Sequence, residues 1–378
     1  MFGVVDTMPA TLRLYLRAPG IGNPHRSMSR VACALDVCCV YRSGATGPVP
    51  SATLRAQVSC EDMPMPHNPL TALLAEGRCI VLDGALATEL ERFGCDLDDP
   101  LWSAKVLLEQ PERIRQVHLD YFVAGAQCAI TASYQATLQG LAARGIDPAQ
   151  ARRLIARSAE LAQQARRDYR AAHPQAGTLL VAGSVGPYGA YLADGSEYRG
   201  DYVVAPARMR DFHRPRITAL VDAGVDLLAF ETQPSSAEIA ALLALLEEFP
   251  QSVAWFACTL RDPTHLSDGT PLRETVALLD GHPQVVALGV NCIAPALAAA
   301  ALEHLSTLTR LPLVVYPNSG ERYDAGDKRW KADGAVACAL VEHIDRWRAA
   351  GARLIGGCCR TTPQQIAQLA RCLAMPHG

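Results

Sequence analysis

The residues of this 378-residue chain best equipped for chemistry are Cys292, Cys358 and Cys359. Cys292 closes the apolar run VVALGVNC, and the adjacent pair Cys358 and Cys359 closes a second run, ARLIGGCC. Zinc in catalytic sites takes three protein ligands, prefers soft thiolates among them, and keeps a fourth position open for a reactant. Three cysteines brought to one point would therefore make an open Zn2+ site. Free cysteines are also among the most buried of residues, and that is the reading for Cys79, Cys128, Cys258 and Cys338. Cys33, Cys38 and Cys39 lack a matching second ligand pair, so no zinc finger is expected there. Polar residues closing the other apolar runs form a second set: Asp83, Thr131, Ser133, Glu231, Asn291 and Asn318. Any one of them alone would pass for a turn or strand-capping residue; together they fall at the same end of the same kind of segment.

Those segments are eight runs rich in Val, Ile and Leu, at 79–85, 127–133, 178–185, 226–232, 252–260, 285–292, 311–318 and 352–359. Their near-continuous apolarity is that of strands buried on both faces, which implies a parallel sheet. Between them lie stretches of helical period, such as PERIRQVHLDYFVAG with a proline start at Pro111 and a glycine stop at Gly125. Further helices are predicted at about 149–172, 206–223, 235–247, 271–280, 295–309, 334–350 and 363–373. Eight βα units in series fit an α/β fold of the closed (β/α)8 TIM type better than an open doubly wound sheet. Active sites of such barrels lie at the C-terminal ends of the strands, where both polar sets fall. Cys292 would end the sixth strand and Cys358 and Cys359 the eighth, with one strand between. The longer connections after the first three strands are expected to build the pocket.

Composition sets the frame around this barrel. With 49% hydrophobic residues, 19% charged residues and a formal charge of -3, nothing points to a nucleic-acid or membrane partner. Thirteen cysteines scattered through apolar runs read as reduced thiols, which places the protein in the cytoplasm. Residues 1–66 lack helical or strand period and are expected to be a disordered extension ahead of a barrel domain at 67–378, with the natural start at Met63 or Met65. A targeting segment is disfavoured because the run VACALDVCCVY is broken by Asp36. The glycines of GSVGPYG at 183–189 lack the spacing of a nucleotide-binding loop, and RGDY at 199–202 reads as a solvated loop. Oligomeric state is not legible.

Between about Pro69 and Ala370 the chain carries LDGALATELERFGCDL, HLDYFVAGAQCAITASYQAT, VAGSVGPYGAYLADGSEYRGDY, GVNC, YPNSGERYD and GGCCRTTP in that order. These motifs resemble the homocysteine S-methyltransferases, and among them the bacterial enzymes that use S-methylmethionine. The resemblance implies Cys292, Cys358 and Cys359 as Zn2+ ligands. It further implies transfer of a methyl group from S-methylmethionine, or also S-adenosylmethionine, to the thiol of L-homocysteine, forming L-methionine. Asp83 and Glu231 suit the substrate ammonium, and Thr131, Ser133 and Asn318 complete the expected substrate contacts. A sulfonium favours aromatic faces and carboxylates, so Tyr134, Tyr188 and Glu321 are candidate donor contacts. The alternatives are the same barrel with another donor, such as betaine, or a noncatalytic zinc-holding sensor or scaffold.

Overall fold

The structure, a computed structural model, describes residues 66–374 apart from 76, 100, 102, 325–328 and 332–339. The expected extension up to residue 65, the cysteines at 33, 38, 39 and 338, and the start of the helix expected at 334–350 lie outside the described residues. All eight predicted strands are present: β1 Ile80–Val81, β2 Cys128–Ile130, β3 Leu180–Val185, β4 Leu227–Gln233, β5 Ala254–Cys258, β6 Val285–Asn291, β7 Leu313–Tyr316 and β8 Ala352–Ile355. They form one parallel sheet in the order β1-β8-β7-β6-β5-β4-β3-β2. The last seam, between β2 and β1, is closed by the bridge Leu82↔Cys128 and by hydrogen bonds from Gln127 N to Val81 O (2.7 Å) and from Asp83 N to Cys128 O (3.0 Å). The protein is thus a (β/α)8 barrel.

The ring outside it consists of α1 Pro111–Val123, α2 Pro148–Ala172, α3 Pro206–Asp222, α4 Ser236–Leu246, α5 Leu272–Leu279, α6 Pro295–Leu305, α7 Ile344–Ala349 and α8 Pro363–Ala374. Several start where the sequence says they must. Asp147 caps α2 by accepting from Ala149 N and Gln150 N at 2.9 Å, and Pro148 fills the first turn, where a missing N–H costs nothing. The expected helix at 334–350 differs from the reading: among the described residues it is a 3-10 turn, Leu340–His343, running into α7.

Alternate residues of each strand divide the core. On β5, Trp255 and Ala257 point into the barrel, while Ala254 and Phe256 lie under the helices. The barrel interior is filled by Ile80, Leu82, Cys128, Leu180, Leu227, Trp255, Val314, Tyr316 and Leu354, with Leu70 and Leu73 of the short helix Leu70–Leu74 packed among them. Each such fully buried Leu or Ile contributes about 1.5–3 kcal/mol by leaving water. This filled lower half leaves the upper ends of the strands as the place where polar groups can collect.

Candidate active site and metal centre

Most of the strands are shorter than the apolar runs that announced them, because the runs continue past the hydrogen-bonded ladder into the rim. β1 ends at Val81 while its run goes on to Asp83, and β8 ends at Ile355 while its run goes on to the cysteine pair. Gly289 of β6 lies so close to β7 that a Cβ there would sit 1.8 Å from Val314 O, so only glycine lets these strands pair at this point. Just beyond, Cys292 takes a left-handed backbone with φ of +52°, uncommon outside glycine, and lines the cavity described below.

Residues 317–319 after β7 bind the thiol-bearing segments on either side. Asn318 donates through Nδ2 to Cys292 O (3.3 Å), Cys358 N donates to Pro317 O (2.7 Å), and Ser319 N donates to Cys359 O (3.1 Å). Cys292 Sγ lies 3.5 Å from Cys359 Sγ, Cys358 Sγ lies 4.0 Å from Cys359 Sγ, and all three sulfurs fall within 4.8 Å of one another. Sulfurs bound tetrahedrally at about 2.3 Å from zinc would stand about 3.8 Å apart, so the donor set fits such an ion. Hydrogen bonds from Cys358 and Cys359 pull Cys292 well below the ordinary thiol range, while the same bond to Cys292 pushes Cys358 and Cys359 up. A bound cation would remove this competition among three sulfurs for negative charge. Cys258, buried without such partners, is pushed by burial up to about 12.

The thiols form one wall of a cavity of about 910 Å³, open mouth included, whose other walls carry Asp83, Thr131, Tyr134, Glu197, Tyr198, Glu231, Thr232 and Tyr316. Burial raises Asp83 well above the usual carboxylate range, although its Oδ2 accepts from Ile130 N at 2.8 Å, and nearby Glu231 raises it further. Burial also raises Glu231 to about 7, against hydrogen bonds from Ser184 Oγ and Tyr316. Two buried carboxylates that resist ionisation side by side form a site prepared for a cation.

The other residues singled out by sequence divide. Thr131 lines the cavity, but its Oγ1 is already engaged with Ser133 Oγ (2.7 Å) and Ser184 N (2.9 Å). Ser133 is fully buried and bonds Ser184 O at 2.8 Å, away from the lining. Asn318 and Asn291 serve the backbone; Asn291 accepts from Thr232 N (2.7 Å) and holds Thr232 at φ +59°. Tyr134 lines the cavity. Tyr188 packs instead against Tyr191, Tyr202 and Phe212, and Glu321 accepts from Arg360 Nε (2.8 Å) outside the lining. Glu197, Tyr198 and Thr232 were not found by sequence reasoning; the first two sit in the long β3–α3 connection rather than at a strand end, and the only available signal was their place inside the motif YLADGSEYRGDY.

Behind this wall lies a fully buried chain of charged groups. Glu238 of α4 accepts from His213 Nε2 (2.6 Å) and Tyr188 N (2.7 Å), and His213 Nδ1 pairs with Arg216 Nη2 (2.9 Å). Arg216 in turn donates to Tyr134 O (2.6 Å) and Gly186 O (2.5 Å), so the helix layer fixes the loops after β2 and β3. Since the guanidinium can only donate, His213 is neutral with its proton on Nε2, in keeping with the burial that lowers its pKa.

Comparison with known proteins matches residues 80–373 to the family model described as homocysteine S-methyltransferase. The homocysteine S-methyltransferase of Escherichia coli strain K12 is 65% identical over 303 residues, covering 80% of this chain and 98% of that protein. Homocysteine S-methyltransferase YbgG of Bacillus subtilis strain 168 is 50% identical over 309 residues, covering 80% and 97%. Among solved structures, the metallated form of the homocysteine methyltransferase MmuM from Escherichia coli superposes with a TM-score of 0.75 at 62% identity, covering 80% of this chain and 99% of that one.

Proposed function

The chain belongs to the homocysteine S-methyltransferase family, and from that premise we propose that it methylates homocysteine with S-methylmethionine as donor, using a zinc ion held by Cys292, Cys358 and Cys359. The observation that carries this reading is the convergence, in one cavity, of three thiols within 4.8 Å of one another with two buried carboxylates. Zinc held there would accept the homocysteine thiol at its open position and lower the pKa of that thiol, so that the nucleophilic thiolate exists at neutral pH.

The remaining work falls to the chain. Asp83 and Glu231 bind the substrate ammonium, and its positive charge offsets the burial that raises both carboxyls. Thr131, tied to Ser133 and Ser184, shapes the wall beside them. Asn318 fixes the carbonyl of Cys292 and with it the direction of the thiol. In the transfer, the homocysteine sulfur supplies the electron pair of the new S–C bond. The old S–C bond leaves its pair on the donor sulfur, which departs as a neutral thioether. That leaving group needs no proton, so the site requires no general acid.

The test is methionine formation by the purified protein with S-methylmethionine, S-adenosylmethionine and betaine in parallel, alongside metal analysis. Turnover with the sulfonium donors and close to one zinc per chain is expected. Turnover with betaine alone would replace the donor, and turnover undiminished after complete metal removal would remove the zinc.

A further inference from the structure

Homocysteine brings one ammonium into the cavity, and the Asp83–Glu231 pair is matched to it. A third buried carboxylate, Glu197, stands on a different wall, and the binding of homocysteine leaves it without a task. The residue is 8% exposed and lines the cavity, and its Oε2, itself buried, has no hydrogen-bond partner. A buried acceptor left unpaired costs about 1–3 kcal/mol, so its presence calls for an explanation.

Glu197 is also held firmly. It lies in the 3-10 turn Ser196–Tyr198; its carbonyl accepts from Thr259 Oγ1 (2.8 Å), which accepts from Ser267 Oγ (3.1 Å). Gly189 lets the neighbouring helix Tyr188–Leu192 approach so closely that a Cβ there would stand 2.6 Å from Glu197 N. The next residue, Tyr198, places its hydroxyl 3.2 Å from Cys292 Sγ, so this turn borders the space where a methyl group must approach the thiol cluster. Tyr134 and Tyr198 line the same cavity, and burial raises Glu197 to about 7, as it does Glu231, so that a cation held there would favour the ionised form.

We propose that Glu197, flanked by Tyr134 and Tyr198, receives the sulfonium centre of the methyl donor and selects cationic donors. The inference rests on the reading that the donor is a sulfonium amino acid. A sulfonium has no N–H to donate; it is recognised by negative charge and by the faces of aromatic rings. A carboxylate oxygen without a hydrogen-bond donor, beside two tyrosines, has that chemistry. An ammonium would instead call for several acceptors at hydrogen-bond distance, as Asp83 and Glu231 offer together.

The positive charge disappears from the donor sulfur as the methyl group leaves, so Glu197 stabilises the bound donor more than the transition state. Glu197→Gln should therefore raise the KM for S-methylmethionine by about tenfold or more, ~1.4 kcal/mol. The kcat at saturating donor should stay the same or rise, the KM for homocysteine should stay within about twofold, and zinc content should be unchanged. Glu197→Asp keeps the charge and should fall between the two, which preserves the test if the glutamine variant fails to fold. An unchanged donor KM in either folded variant, or a matching rise in the homocysteine KM, would overturn the role of Glu197 while leaving the family reaction intact. A wild-type protein that makes methionine from a neutral or betaine-type donor and not from S-methylmethionine would overturn the donor reading and this inference together.

Discussion

The rim of the barrel has two sides built on different plans. On the β6–β8 side, hydrogen bonds of residues 317–319 tie the segments that carry the three thiols to one another. On the β1–β4 side the connections after β1, β2 and β3 are long; the rim there carries carboxylates, hydroxyls and tyrosines, and Arg216 ties the backbone of two of these connections to the helix layer. The first side is a local donor set. The second is a wall assembled from distant pieces. On the proposed reading, chemistry of the reacting sulfur belongs to one side and recognition of charge to the other.

The most severe test of this division is Cys358→Ser. It should strip the bound metal and lower methyl transfer by about 10³-fold or more, the scale of several kcal/mol lost from a metal-assisted step. Full metal occupancy in that variant, measured by plasma emission, would break the assignment of the β6–β8 side. Glu231→Gln should act on the other side alone: homocysteine KM up by roughly ten- to a hundredfold, the range for a lost charge-assisted hydrogen bond, with metal content intact. Loss of metal in that variant would show that the two sides are not separable.

The same substitution carries a pH signature. Glu231 holds its proton up to about 7 in the folded protein, while in an unfolded chain it loses it near 4.3. Between those values the native state binds more protons, so the metal-free protein should lose stability as pH rises from about 4.5 to 7, by on the order of 4 kcal/mol at most from this group. Urea unfolding of Glu231→Gln should show a shallower decline over that window; an identical slope would mean that Glu231 is not buried as described. Asn318→Ala should weaken metal affinity by about tenfold, since it removes a partner that orients a ligand rather than the ligand itself. The smallest effect is expected from a chain starting at Met65, which keeps both sides of the rim and should match the full chain in turnover and thermal midpoint. Insolubility or lost activity would show that residues 1–64 serve the barrel.

How far sequence reached follows the same division. The eight strands were legible because each is buried on both faces and reads as an apolar run, and the thiols were legible because cysteine pairs are rare in such places. The ends of the strands were not, since hydrophobicity reports burial and not where the ladder stops; hence Ile80–Val81 within a run of seven. Asn318 was expected to face the substrate, yet its amide bonds the Cys292 carbonyl, and which backbone groups lack partners is invisible before the chain is folded. Glu197 escaped because its place depends on a long connection folding back over the rim, and no period or cap marks that path.

The seam that closes the barrel has a dynamic consequence. Only one bridge and a few hydrogen bonds join β1 to β2, and two of them are made by side chains: Gln127 Oε1 accepts from Val81 N (3.1 Å) and Asp83 Oδ2 from Ile130 N (2.8 Å). Fluctuations that part the sheet should begin at this join, where the fewest bonds must break at once. Asp83 is both the clasp of that join and a carboxylate facing the pocket. A ligand that orders it would therefore slow the breathing of the whole cylinder, and amide hydrogen exchange at Ile130 should become slower when homocysteine is added.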